Sequence, residues 1–196
     1  MTIRDCVTIP GSRTELAKEL YMLSFYLCGI NAVELYQITE RDVRNGRLDY
    51  NRSKTRDKRK DNAFISIKIV DEAKPLLEKY LGKLSVRYSS SGYLNWSLSK
   101  GMEQLRKLTG IPELTLYWAR HTFANMARND CRMSKDDVAL ALNHVDEGTR
   151  KTDIYIAKDW KIVDDVQRRV IAQLGKVEAK LKKKIADKVT SEDTAA

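Results

Sequence analysis

The sequence predicts a mainly helical domain carrying a small antiparallel β-sheet, an α+β fold. Capped stretches with apolar residues three and four apart recur along most of the chain, which is the helical period. One short region around an Asn-Gly turn alternates instead, as a sheet does. Pro and Gly together occupy only twelve of 196 positions, and 32% of residues are charged. Collagen-like, mucin-like and wholly disordered chains are excluded by that composition, and a 42% hydrophobic fraction is enough for a core.

The elements follow in order. Ser12-Arg13-Thr14-Glu15 fits a capping box, and Leu16, Leu20, Leu23, Tyr26 and Leu27 keep helical spacing, so a helix is expected from Arg13 to Cys28, stopped by Gly29. Asn31 caps a second, short helix that turns Val33, Leu35 and Ile38 to the core. After the Asn45-Gly46 turn, Arg47–Tyr50 and the alternating Ala63–Ile69 read as two strands, with an Arg/Lys-rich loop at the tip of their hairpin. Asp71 is expected to cap a helix to Leu81, and Ser89-Ser90-Ser91-Gly92 reads as a loop. Further helices are expected up to Leu108 and over 116–127, 134–142, 148–156 and 160–174, Ser134 with Asp137 repeating the capping pattern. Residues 1–175 then form one domain, and 176–196 a charged, flexible C-terminal tail.

The formal net charge of +9 is concentrated. Arg52 to Lys60 holds six basic residues against Asp57, and Lys176 to Lys188 six against Glu178 and Asp187, which accounts for the whole excess. Two basic strips on an otherwise neutral body point to a polyanion such as nucleic acid, because cations gain by releasing counterions from phosphates. Leu20 to Val33, the longest uncharged stretch, has fourteen residues and is too short and polar to cross a bilayer. With no secretory leader after Met1, the expected location is the cytoplasm, at the nucleoid when bound to DNA. Cys6, Cys28 and Cys131 match no disulfide framework or metal motif, and Cys28 is expected in the core.

The chemistry-bearing residues lie in an ordered series of short boxes. They are Gly29-Ile30-Asn31-Ala32-Val33-Glu34-Leu35, Ser53-Lys54-Thr55, Tyr117-Trp118-Ala119-Arg120-His121-Thr122, Ala141-Leu142-Asn143-His144 and Thr152-Asp153-Ile154-Tyr155. In this order and spacing the chain resembles the tyrosine recombinase (phage integrase) family over about residues 14–156. The resemblance implies a recombinase-like catalytic domain that cleaves and rejoins DNA through a 3′-phosphotyrosyl intermediate. Tyr155 is then the nucleophile, Arg120 and His144 stabilise the phosphate, and Lys54 protonates the departing 5′-oxygen. A metal-free phosphodiester exchange needs those three kinds of group, and the phosphotyrosyl ester conserves the bond energy for rejoining. Asn31, Tyr117, His121 and Glu34 support the site, and Arg52, Arg56, Lys58, Arg59 and Lys60 contact DNA. No cofactor or metal is called for.

Three positions depart from the family pattern: Asn31 stands where the first catalytic arginine is expected, Tyr117 where a histidine is usual, and Asn143 replaces a glycine. Asparagine offers a neutral donor pair in place of a charged fork, so either another cation substitutes or the reaction is slow. Tyr117, three residues before Arg120, shares its helical face by spacing. The expected partners are double-stranded DNA and, on DNA, further protomers, the domain being a monomer without it. Val163, Val166, Val170 and Leu174 form an apolar stripe that packs either on its own domain or on a neighbouring protomer. An N-terminal DNA-clamping domain is expected elsewhere in a longer protein. The alternatives are a catalytically degenerate DNA-binding homologue and a type IB topoisomerase.

Overall fold

The computed structural model describes residues 3–144 and 157–193, with side chains through Lys176. Helix α1 (Arg13–Tyr26) is the centre of the core. Leu16, Ala17, Leu20, Leu23 and Phe25 are each at most 3% exposed, and Tyr21, Met22 and Tyr26 on its other sides are also buried. A helix apolar on every side belongs inside a bundle. Its start is as expected in one half: Ser12 Oγ accepts from the Glu15 N–H at 3.1 Å, while the Glu15 carboxylate accepts from the Gly11 N–H at 2.7 Å rather than from Ser12. Its end comes two residues early, because Cys28 and Gly29 both take left-handed backbone, φ 55° and 76°. Cys28 is core, as expected, at 2% exposed.

Helix α2 (Ala32–Gln37) follows, with Asn31 at the N-cap position but without the expected side-chain cap bond. The sheet has the order β1 (Val43–Arg44), β2 (Arg47–Asn51), β3 (Phe64–Lys68), antiparallel throughout, with Asn51 opposite Phe64 and Arg47 opposite Lys68. The two-residue strand β1 has no period to betray it in sequence. The Asn45-Gly46 turn that joins it to β2 has φ 50° and 71°, the twist-matched geometry for which this dipeptide is selected. Leu48, Ile65 and Ile67 enter the core, and the basic loop stands at the β2–β3 tip, as the alternation predicts.

Helix α3 (Lys74–Tyr80) starts later than expected, because Asp71 spends its carboxylate on Lys74 instead of on the helix N-terminus, and Ala73 holds the cap position. After α4 (Leu84–Arg87), helix α5 (Ser91–Thr109) corrects the loop expected at 89–92. Ser90 caps it, accepting from the Tyr93 N–H at 3.3 Å, so the serine cluster is a helix start. Helix α5 packs closely on α1, where a Cβ on Gly101 would lie 2.0 Å from the Arg13 carbonyl oxygen. Helix α6 (Trp118–Asn125) runs into a π turn over Met126–Asp130, and α7 (Lys135–Ala141) is capped by Ser134 as predicted, its Oγ 3.0 Å from the Asp137 N–H.

Helix α8 (Trp160–Asp193) continues past the expected end at Leu174. Its stripe is buried within this chain, with Val163, Val166 and Val170 at 0% exposure against α7, the π turn and β3. Two polar contacts lock it there. Asp164 accepts two bonds from the Arg47 guanidinium, at 2.7 and 2.9 Å, and buried Gln167 donates to the Tyr26 and Lys68 carbonyls. No helix of the described residues is long and apolar enough to cross a membrane. The helix expected at 148–156 lies outside the described residues.

Candidate active site

Arg120 is a buried charge of α6 that reaches the chain just after α1 and just after α7. Only 8% of it is exposed. Its Nη1 donates to the Gly29 carbonyl at 3.0 Å and its Nη2 to the Leu142 carbonyl, which leaves three of its five N–H donors uncommitted among the described residues. Burial, then the neighbouring Arg52 charge, pushes its pKa below the ordinary arginine value, yet an arginine remains charged at any physiological pH. The stem of Arg120 lies directly on Gly29. A Cβ there would sit 2.7 to 2.9 Å from Arg120 Cγ, Cβ and Cα, and the residue has φ 76°. Glycine opens the first box because both the left-handed backbone and the close approach demand it. Gly29→Ala is expected to destabilise the domain by about 2–4 kcal/mol and to displace Arg120, which a lowered urea midpoint would measure.

The turn after α7 brings the His144 box to Arg120. The Asn143 N–H donates to the Leu140 carbonyl and the His144 N–H to the Ala139 carbonyl, a Schellman closure that puts Asn143 in left-handed backbone at φ 49°. Asparagine suits this position, since it tolerates left-handed backbone better than other non-glycine side chains. The Leu142 and Asn143 carbonyls then become the focus of three guanidinium groups. Arg120 takes Leu142; Arg52 Nη1 reaches the Asn143 carbonyl at 3.5 Å, and Arg59 Nη1 reaches it at 3.4 Å. His144 is exposed immediately beyond.

The hairpin loop supplies the other side. Glu34, 2% exposed, accepts from the Ser53 N–H at 3.1 Å and so fixes the backbone next to Lys54, which itself is exposed. Glu34 thus braces the hairpin loop from the first box. Glu34 Oε2, Arg52 Nε and Thr55 Oγ1 are buried without a hydrogen-bond partner among the described residues. Of these atoms, Arg52 Nε and Thr55 Oγ1 can donate to an anion, whereas Glu34 Oε2 only accepts. Arg56, Lys58 and Lys60 are exposed on the loop, whereas the Arg59 side chain is only 12% exposed and forks onto Asp61.

Other predicted residues fall elsewhere. Tyr117 stands at the start of α6, 51% exposed, its ring edge-on to His121 with centroids 4.8 Å apart. The Arg120 N–H donates to the Tyr117 carbonyl at 3.1 Å, but the Tyr117 side chain makes no hydrogen bond to the Arg120 guanidinium among the described residues, so the shared face inferred from spacing brings the two side chains near without joining them. Asn31 is half-buried at the start of α2. Tyr155 lies outside the described residues. Further along the chain Lys158 pairs with Asp61 of the hairpin, and Trp160 packs edge-on against Phe64 of β3 at 5.7 Å. Sequence reasoning did not single out Asp61; its only signal was an acid directly after the basic run. No family model, curated protein or solved structure matches this chain.

Proposed function

We propose that this domain cleaves and rejoins DNA by tyrosine recombinase chemistry. The observation that carries the reading is the gathering of Arg120, Arg52 and the Glu34-braced Lys54 loop around the turn before His144, residues from four separate boxes 22 to 91 positions from Arg120 in their contacts. The buried Glu34 carboxylate offsets only part of the charge of Arg120 and Arg52, and a DNA phosphate would offset the remainder. In this reading Tyr155 attacks the phosphorus, and the 5′-oxygen leaves with a proton supplied by Lys54. Arg120, Arg52 and His144 hold the equatorial oxygens as charge builds. A nicked suicide substrate, which loses its 5′-hydroxyl strand after cleavage, is expected to trap the protein covalently on DNA. Recovery of bound but never covalent protein would favour the degenerate DNA-binding homologue, the second reading that Asn31 supports.

In this reading Arg52 fills the place that Asn31 leaves open. It brings a guanidinium close enough to Arg120 to shift it, and its Nε is buried and unspent. Arg52 therefore takes the place of the absent arginine as the second phosphate fork. Arg52→Ala is expected to lower the cleavage rate roughly 100-fold, as for loss of one oxyanion donor. Asn31→Arg in the otherwise unaltered protein is expected to give no large gain. A large gain in single-turnover cleavage would show that the second cation was missing all along.

A further inference from the structure

Asn143 does more than accept a left-handed turn. Its Nδ2 donates to the Ala63 carbonyl at 2.7 Å, at the end of the hairpin loop, and its Oδ1 accepts from Arg59 Nη1 at 2.8 Å. Arg59 in turn spends its other edge on both oxygens of Asp61, at 2.9 and 2.6 Å, and the Ala63 N–H donates to Asp61 Oδ1 at 3.0 Å. Lys158 closes on the same carboxylate from the segment before α8. Burial opposes ionisation of Asp61, but Arg59 and Lys158 outweigh it and hold its pKa well below the usual carboxylate range. The 6%-exposed Asn143 side chain is thus bonded through both polar atoms to the basic loop, 80 and 84 residues away in sequence.

We propose that Asn143 is a positioning residue whose side chain, through Ala63 and Arg59, fixes the basic hairpin loop onto the turn that bears His144. This inference rests on the recombinase reading for its catalytic consequence, though not for the tie itself. Among the described residues no strand pairing joins the loop that carries Arg52 and Lys54 to the turn that carries His144. Two side-chain bonds to this asparagine, shorter than the 3.4 and 3.5 Å bonds that its carbonyl accepts from Arg59 and Arg52, set their spacing before DNA arrives, which is how a site avoids reorganisation during the reaction. Arg59 accordingly serves as a brace, with both edges of its fork engaged inside the protein, and is not one of the DNA-contacting cations.

Glycine at position 143 would keep the left-handed backbone and remove only the tie, so Asn143→Gly separates the two roles. The first measurement uses the full chain without DNA: trypsin cleavage after Arg56, Lys58 and Lys60 is expected at least about fivefold faster in Asn143→Gly, with the urea midpoint changed little. The second uses the nicked substrate. Single-turnover cleavage at saturating DNA should fall roughly tenfold to 100-fold while the Kd for DNA changes less than about twofold, because phosphate contacts survive and geometry does not. Arg59→Met removes the tie from the loop side without touching the turn and should reproduce both effects, which covers the case of an unfolded Asn143→Gly. Unchanged proteolysis in both variants would overturn the proposal. Faster proteolysis with unaltered cleavage would overturn its positioning role, and faster proteolysis in a protein whose unsubstituted form never cleaves would uphold the tie while refuting the recombinase reading.

Discussion

Tyr155→Phe is expected to abolish covalent attachment to a nicked DNA substrate while leaving non-covalent binding within about twofold. The substitution removes one oxygen and keeps the ring, so packing that depends on the aromatic body is retained. Without the phenolic oxygen there is no bond to phosphorus, and the loss should be complete rather than graded. Denaturing gel separation of labelled DNA reads the adduct directly, and filter binding or anisotropy reads the complex. Tyr155 is one of nine tyrosines, so the result discriminates sharply. An adduct that persists in Tyr155→Phe would assign the nucleophile to another residue and sink the spacing argument that chose this one.

Arg120→Ala should reduce cleavage by roughly 1,000-fold or more with Tyr155 intact, since the lost contact strengthens as phosphate charge develops and cannot be regained from substrate binding. The same change carries a structural cost. The Gly29 and Leu142 carbonyls each lose a charged donor, at about 1–3 kcal/mol apiece for a buried group left unpaired. The two effects are separated by a denaturant titration alongside single-turnover cleavage, with Arg120→Lys as the second variant. Lysine keeps a positive charge yet lacks the fork, so it cannot serve both carbonyls and a phosphate together. It should recover part of the stability and little of the rate. Near-normal cleavage by Arg120→Ala would remove Arg120 from the reaction and leave it as a linker between the first box and the α7 turn.

Periodicity was sufficient for the long helices. Ser12 and Ser134 announce α1 and α7 because an N-cap side chain acts within three residues, and the alternation over 63–69 announces β3 because its pleat turns Ile65 and Ile67 to the core. Such local chemistry is legible in one dimension. It misleads where two local partners compete, as when Asp71 pairs with Lys74 instead of capping α3, and where a cluster of serines admits both a loop and a helix start. The end of α8 was equally indeterminate, since beyond Gly175 the residues permit a helix without an apolar stripe to require one.

The sequence by itself determined the residue types of the site and their order along the chain, because chemical identity and spacing are written there. It also determined that position 29 needed a residue able to take left-handed backbone at the end of α1. Only the tertiary structure decided that Arg120 turns inward while Tyr117 and His121 pair with each other at the surface, and that α8 closes on its own domain. It alone placed Arg52, of six cations in one run, beside Arg120, and turned Arg59 onto Asp61 and Asn143. Neighbouring basic residues look alike in a charge count. Their roles diverge because a guanidinium's partner is set by which carbonyl or carboxylate the fold brings within about 3 Å, and those partners lie up to 91 residues away.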